Sequence, residues 1–365
     1  MPPPPAPKSW RVGFSTLGNM YEKHIKGGEF ESIGLRLPRS PSTSRLTARA
    51  MHKSSTTSAR PSESVLFTVV YVLPFYLSSA TRPSPQLTRD APSSIRARVR
   101  AVTSSCILSL GLTVFVLNRS GHLPAADILR LLGVWPASLL DTAKTILLVA
   151  ILFAGPLFEH GVVDGALRDW VRGREVYATL SSWIGYRNYV VGPVTEELIW
   201  RSLIIPLHVL AGFSGKKIIF LTPLYFGIAH VHHLYEFRLT HPQTPLVLAV
   251  LRSLFQFTYT SLFGFFAAFV FIRTGNVYSV ILAHSFCNWM GLPRFYGRVG
   301  VQAGEPIGPP GKGEGKPASP QHPNQGIAWT AAYYLILVAG AVGFYWQLFP
   351  LTESSHALPV ALREE

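Results

Sequence analysis

Uncharged apolar runs of bilayer-spanning length constrain this chain more than any other feature. Residues 64–81 (SVLFTVVYVLPFYLSSAT) carry no charged side chain, and neither do residues 101–118. A helix needs about 20 apolar residues to cross the hydrocarbon layer. Helices also satisfy their own backbone there, so a proline such as Pro74 is tolerated. Further apolar stretches follow at 128–158, 176–213, 218–235, 246–272, 276–292 and 327–351. Arg130, Asp141 and Lys144 interrupt the first of these, which predicts a short amphipathic helix followed by a span. Only 14% of residues are charged, against about 25% in a soluble domain, which argues against an ordinary globule. The expected fold is all-α: a polytopic membrane bundle of about seven or eight transmembrane helices, without an internal repeat.

The polar parts set the expected boundaries. Residues 1–62 are basic, Pro/Ser-rich and poor in apolar runs, and read as a disordered tail. Residues 63–352 read as one transmembrane domain with a Gly/Pro-rich loop at 294–325, and residues 353–365 as a C-terminal tail. Of the formal net charge of +14, residues 1–100 supply +10. No nucleic-acid-binding module accompanies that charge, so anionic lipid is the better partner and nucleic acid is not expected. Arg45, Arg49, Lys53 and Arg60 precede the 64–81 run, and Arg82, Arg89, Arg96, Arg98 and Arg100 follow it. That balance leaves orientation open by the positive-inside rule. The two cysteines, Cys106 and Cys287, rule out a disulfide framework.

The chemistry lies in side chains that hydrocarbon should reject. In VGPVTEELIWRSLIIP, Pro193 and Thr195 read as a helix start, with Glu196 and Glu197 in its first turn. Glu197 and Arg201 are four apart and can pair on one face, while Glu196 points about 100° away. In PLYFGIAHVHHLYEF, Phe226 and His230 lie one turn apart, and His232 and His233 read as interfacial residues. In VYSVILAHSFCNWMGLP, His284 and Asn288 share a face. Each cluster alone also fits a structural role: a salt bridge, an interfacial histidine, or hydrogen bonding between membrane helices. Together they supply the parts of an amide hydrolase. A carboxylate with an imidazole can activate water. Two N–H donors can receive the oxyanion.

These elements, as Glu196-Glu197-Leu198-Ile199-Trp200-Arg201, Phe226-Gly227-Ile228-Ala229-His230 and His284-Ser285-Phe286-Cys287-Asn288, resemble the EExxxR, FxxxH and HxxxN motifs of the type II CAAX prenyl proteases. The strings FGIAHVHH and HSFCNWMG are similar to the eukaryotic members. The resemblance covers about residues 64–350, and the basic tail is not part of it. It implies a multi-pass endopeptidase of the endoplasmic reticulum membrane. Such an enzyme removes the last three residues, -aaX, from farnesylated or geranylgeranylated CAAX proteins such as Ras-like GTPases. It also implies that Glu196 and His230 activate water and that His284 and Asn288 form the oxyanion hole. Glu197 and Arg201 would support the site, and Phe226 would pack or touch the prenyl group. No metal or other cofactor is implied.

Other chemistries fit parts of the pattern. His230, His233, His284 and a glutamate could ligate zinc, although no HExxH is present. Cys287 sits near His284 and Asn288, but a thiol in an apolar span is expected to be inert. Intramembrane Glu, Arg and His also build proton-coupled transporters. Prokaryotic proteins with the same motifs are linked to other peptide processing or to bacteriocin immunity.

Overall fold

The computed structural model describes residues 60–84, 87–300 and 326–360. Nearly all of the basic tail and most of the 294–325 loop lie outside the described residues. Among the described residues the regular structure is helical, without strands. The helices are α1 (Arg60–Val72), α2 (Pro74–Leu77), α3 (Pro92–Arg119), α4 (Ala125–Leu131), α5 (Leu139–Leu152) and α6 (Ala154–Phe158). Two short helices follow, α7 (Leu167–Val171) and α8 (Arg174–Leu180). A helical run, α9, then continues without a break over 183–210. It is followed by α10 (Gly215–Ala229), α11 (His232–Thr240), α12 (Leu246–Thr274), α13 (Val277–Met290) and α14 (Ile327–Gln347).

Among the described residues, four helical stretches are long and apolar enough to cross a membrane: Pro92–Arg119, Gly215–Thr240, Leu246–Thr274 and Ile327–Gln347. A fifth arises if Leu139–Leu152 and Ala154–Val163 are one span, bent by 80° at Phe153. Pro156 explains that bend, because it cannot donate to the Leu152 carbonyl. The other segments behind the expected seven or eight are short, as Ser62–Leu77 and α13 are, or carry charge, as α9 does. The structure is thus a helical membrane bundle, and segments short of the spanning criterion complete its interior.

The core is built around α9. Ile199, Trp200, Leu203, Ile204, Ile205 and Leu207 are all essentially inaccessible. Apart from Arg201, residues 199–207 present no charged side chain on any face, and such a segment belongs at the centre. Lipid tails compete with side chains for apolar contact, so close packing holds such helices together. Gly264 on α12 shows the tolerance involved. A Cβ there would stand 2.6 Å from Pro223 Cβ of α10 and 3.3 Å from the Arg201 guanidinium.

Residues 353–360, set apart as a tail in the sequence, pack against the bundle. Leu358 donates its N–H to the Ile272 carbonyl (2.8 Å), and the Ser354 hydroxyl donates to Asp141 Oδ2 (2.6 Å). The start of the 294–325 loop is also held. Arg294 pairs with Glu159 at 2.9 Å, and Tyr333 OH accepts the Arg294 N–H at 2.7 Å.

Candidate active site

Both glutamates lie in the middle of α9, not in a first turn as the sequence suggested. The helix carries two π turns, Arg187–Val191 and Leu198–Leu203, with Gly192–Glu197 between them. Each π turn meets a proline farther along the helix. Pro193 and Pro206 lack the N–H that would bond Tyr189 and Ser202. The wider turn closes with i→i+5 bonds, from Gly192 N–H to Arg187 O and from Ile204 N–H to Ile199 O. Thr195 does not cap a start either. Its hydroxyl bonds back to Val191 O (2.8 Å) and lies 3.0 Å from Tyr71 OH.

The adjacent carboxylates have different surroundings. Glu197 is fully sealed. Its Oε1 accepts from Arg201 Nη1 at 3.2 Å and from His284 Nδ1 at 2.7 Å, and its Oε2 lies 3.1 Å from Arg201 Nε. The four-residue pair read from sequence therefore forms. Arg201 also donates to Gly264 O (3.3 Å) and lies over the Phe226 ring at 4.7 Å. The Glu196 side chain retains 21% of its exposure, and its Oε2 stands 3.7 Å from His284 Nε2. That separation exceeds a direct hydrogen bond.

His284 thus bridges the two glutamates across α9 and α13. A carboxylate only accepts, so Nδ1 carries the proton toward Glu197 and Nε2 faces Glu196. His230, at the C-terminal end of α10, is fixed in the same way. Its Nδ1 donates to Phe226 O at 2.8 Å, which leaves the Nε2 lone pair as the basic position of the neutral ring. The fully buried Phe226 ring lies edge-on to His230 (4.6 Å) and His284 (6.3 Å), which is a packing position. Asn288 donates through Nδ2 to Asn188 O (3.1 Å), which orients its carboxamide between α13 and α9. The three motifs therefore converge on one region.

Three participants had no signature in the sequence: the Asn188 and Gly264 carbonyls, which act through the backbone, and the Phe263 ring. Phe263 lies 4.6 Å from His284 and 5.7 Å from the Arg201 guanidinium. The set considered for zinc, His230, His233, His284 and a glutamate, does not coincide with the group of metal-ligand spacing found among the described residues. Among the described residues, the cluster with metal-ligand spacing is His232, His233 and Glu236. It omits His230 and His284. Its carboxylate is already engaged by Arg98 at 2.7 Å, with Arg89 at 3.7 Å, and both guanidinium charges oppose a cation. Cys287 is half-buried on α13.

Residues 177–290 match the family described as type II CAAX prenyl endopeptidase Rce1-like, a segment that contains all three motifs. The probable CAAX prenyl protease 2 of Schizosaccharomyces pombe is 34% identical over 77% of this chain and 90% of its own length. CAAX prenyl protease 2 of Homo sapiens is 37% identical over 60% of this chain and 68% of its own. The Arabidopsis thaliana protein of that name is 31% identical over 79% of this chain and 88% of its own. No solved structure matches. With its motif residues carried on α9, α10 and α13 and this likeness along most of its length, the chain belongs to the type II CAAX prenyl endopeptidase family.

Proposed function

We propose that this protein is a CAAX prenyl endopeptidase that uses Glu196 as its general base. The observation that carries the reading is the contrast between the glutamates. One is sealed and neutralised by Arg201, while its neighbour is accessible and faces an imidazole. Glu196, with His230 Nε2, takes a proton from water, and the resulting hydroxide attacks the carbonyl of the prenylated cysteine. The oxyanion is received by His284 Nε2–H and the Asn288 carboxamide. The C–N bond then breaks, and the proton held by Glu196 passes to the departing amine. His284 donates from Nε2 while its Nδ1–H is engaged by Glu197, so in this step both ring nitrogens are protonated.

The membrane setting fits the substrate. Each buried methylene of a prenyl chain contributes about 0.8 kcal/mol to partitioning, which brings the scissile bond to the bilayer. The family resemblance supports location in the endoplasmic reticulum membrane, with prenylated Ras-like GTPases among the substrates. Release of -aaX from a farnesylated CAAX peptide tests the reading. Asn288→Ala should lower kcat by about 10²–10³, the scale for one oxyanion donor. Unchanged kcat in that variant would remove Asn288 from the site. Cys287→Ala should cleave at the wild-type rate, and its inactivity in folded form would favour a thiol mechanism.

A further inference from the structure

A cavity of about 280 Å³ lies between the α2–α3 connection and helices α11 and α12. It lies beside the proposed catalytic centre. His233, on its wall, has its ring 5.8 Å from that of His230. Tyr259 of α12 interacts electrostatically with Arg252 and Arg89 of the cavity and also with Glu196.

Counted with the two arginines that stand behind its walls, Arg98 and Arg187, the cavity region holds more positive than negative charge. Among the described residues its walls carry two carboxylates, Asp90 and Glu236, and two arginines, Arg89 and Arg252. Both carboxylates are already bound from behind, Glu236 by Arg98 at 2.7 Å and Asp90 by Arg187 at 2.6 Å. Arg89 therefore stands at longer range from each, 3.7 Å from Glu236 and 4.0 Å from Asp90. Its Nε is buried without a hydrogen-bond partner, a costly arrangement for a charged group. Arg252 lies over the Phe237 ring at 4.1 Å. The remaining wall is partly apolar, with Leu87, Leu234 and Ala249. Such a site suits a monoanion carried on an aliphatic body.

We propose that this cavity binds the -aaX end of the substrate, with Arg89 and Arg252 receiving its terminal α-carboxylate. Three extended residues reach about 10 Å, so a carboxylate anchored here would set how far along the peptide the water attacks. A terminal carboxylate would then be recognised independently of the last side chain. This assignment rests on the endopeptidase reading above.

The test uses the full chain in vesicles and two farnesylated CAAX peptides, one ending in a carboxylate and one in a carboxamide. Wild type should show KM about 10- to 100-fold higher for the amide, the scale of a charge-assisted hydrogen bond, with little change in kcat. Arg89→Gln and Arg252→Gln should raise KM for the acid toward that of the amide, so that the ratio between the two peptides falls toward one. Arg89→Lys should restore part of the preference. Equal KM for both peptides in wild type would overturn the assignment, as would full discrimination in both glutamine variants. An equal KM rise for both peptides that tracks the anionic lipid content of the vesicles would also overturn it and assign the cavity to a lipid headgroup. Glu196→Gln checks the chemistry separately, because it should lose turnover of both peptides whatever their C-terminus.

Discussion

Glu196→Gln is expected to lower tripeptide release by about 10²–10⁴-fold while leaving the protein folded. The substitution keeps the shape of the side chain and removes its ability to accept a proton. Little structural loss should follow. The side chain is partly exposed, and glutamine keeps an oxygen and adds an N–H for contacts with its neighbours, His284 Nε2 at 3.7 Å among them. Thermal unfolding in detergent should therefore coincide with wild type. His230→Ala should act in the same direction, since its Nε2 is the second proton acceptor of the proposed centre. A folded Glu196→Gln protein with wild-type turnover would remove this carboxylate from the chemistry.

Glu197→Ala should behave differently, although the residue is adjacent. It would remove the carboxylate that pairs with the Arg201 guanidinium, which is buried at 1% exposure against the Gly264 carbonyl and aromatic faces. Removing one partner of a buried ion pair costs about 3–5 kcal/mol. Total stabilities are only about 5–15 kcal/mol, so folded yield and melting temperature should both fall. Glu197→Gln combined with Arg201→Met should be more stable than Glu197→Ala, because no unpaired charge remains. That double variant should still be inactive, since His284 Nδ1 has lost its carboxylate acceptor. A Glu197→Ala protein as stable as wild type would show that the pair does not hold the site.

Some of this site is legible from residue spacing, and some depends on tertiary contact. The Glu197–Arg201 pair follows from local helix geometry, because side chains four apart meet whatever surrounds them. The shared faces of Phe226 with His230 and of His284 with Asn288 follow from the same rule. The helix start read at Pro193 does not hold, because a π turn carries the backbone past the proline. The clue lay in two prolines, Pro193 and Pro206, inside an apolar run without turn residues at the second. Which glutamate is sealed depends on α13 bringing His284 across to α9, a contact 87 residues away in sequence. The Asn188 and Gly264 carbonyls could not be read either, because every residue has one. The C-terminal stretch reads as a tail because 353–357 (ESSHA) is polar. Its Ser354 hydroxyl bonds to the buried Asp141.

The most direct measurement of the central claim is the rate of -aaX release from a farnesylated CAAX peptide by the purified protein in vesicles. Wild type and Glu196→Gln would be compared at equal folded concentration, each with and without a metal chelator. Wild type should release the tripeptide whether or not the chelator is present, and Glu196→Gln should lose release. Equal release by both proteins, or release abolished by the chelator and restored by zinc, would contradict it.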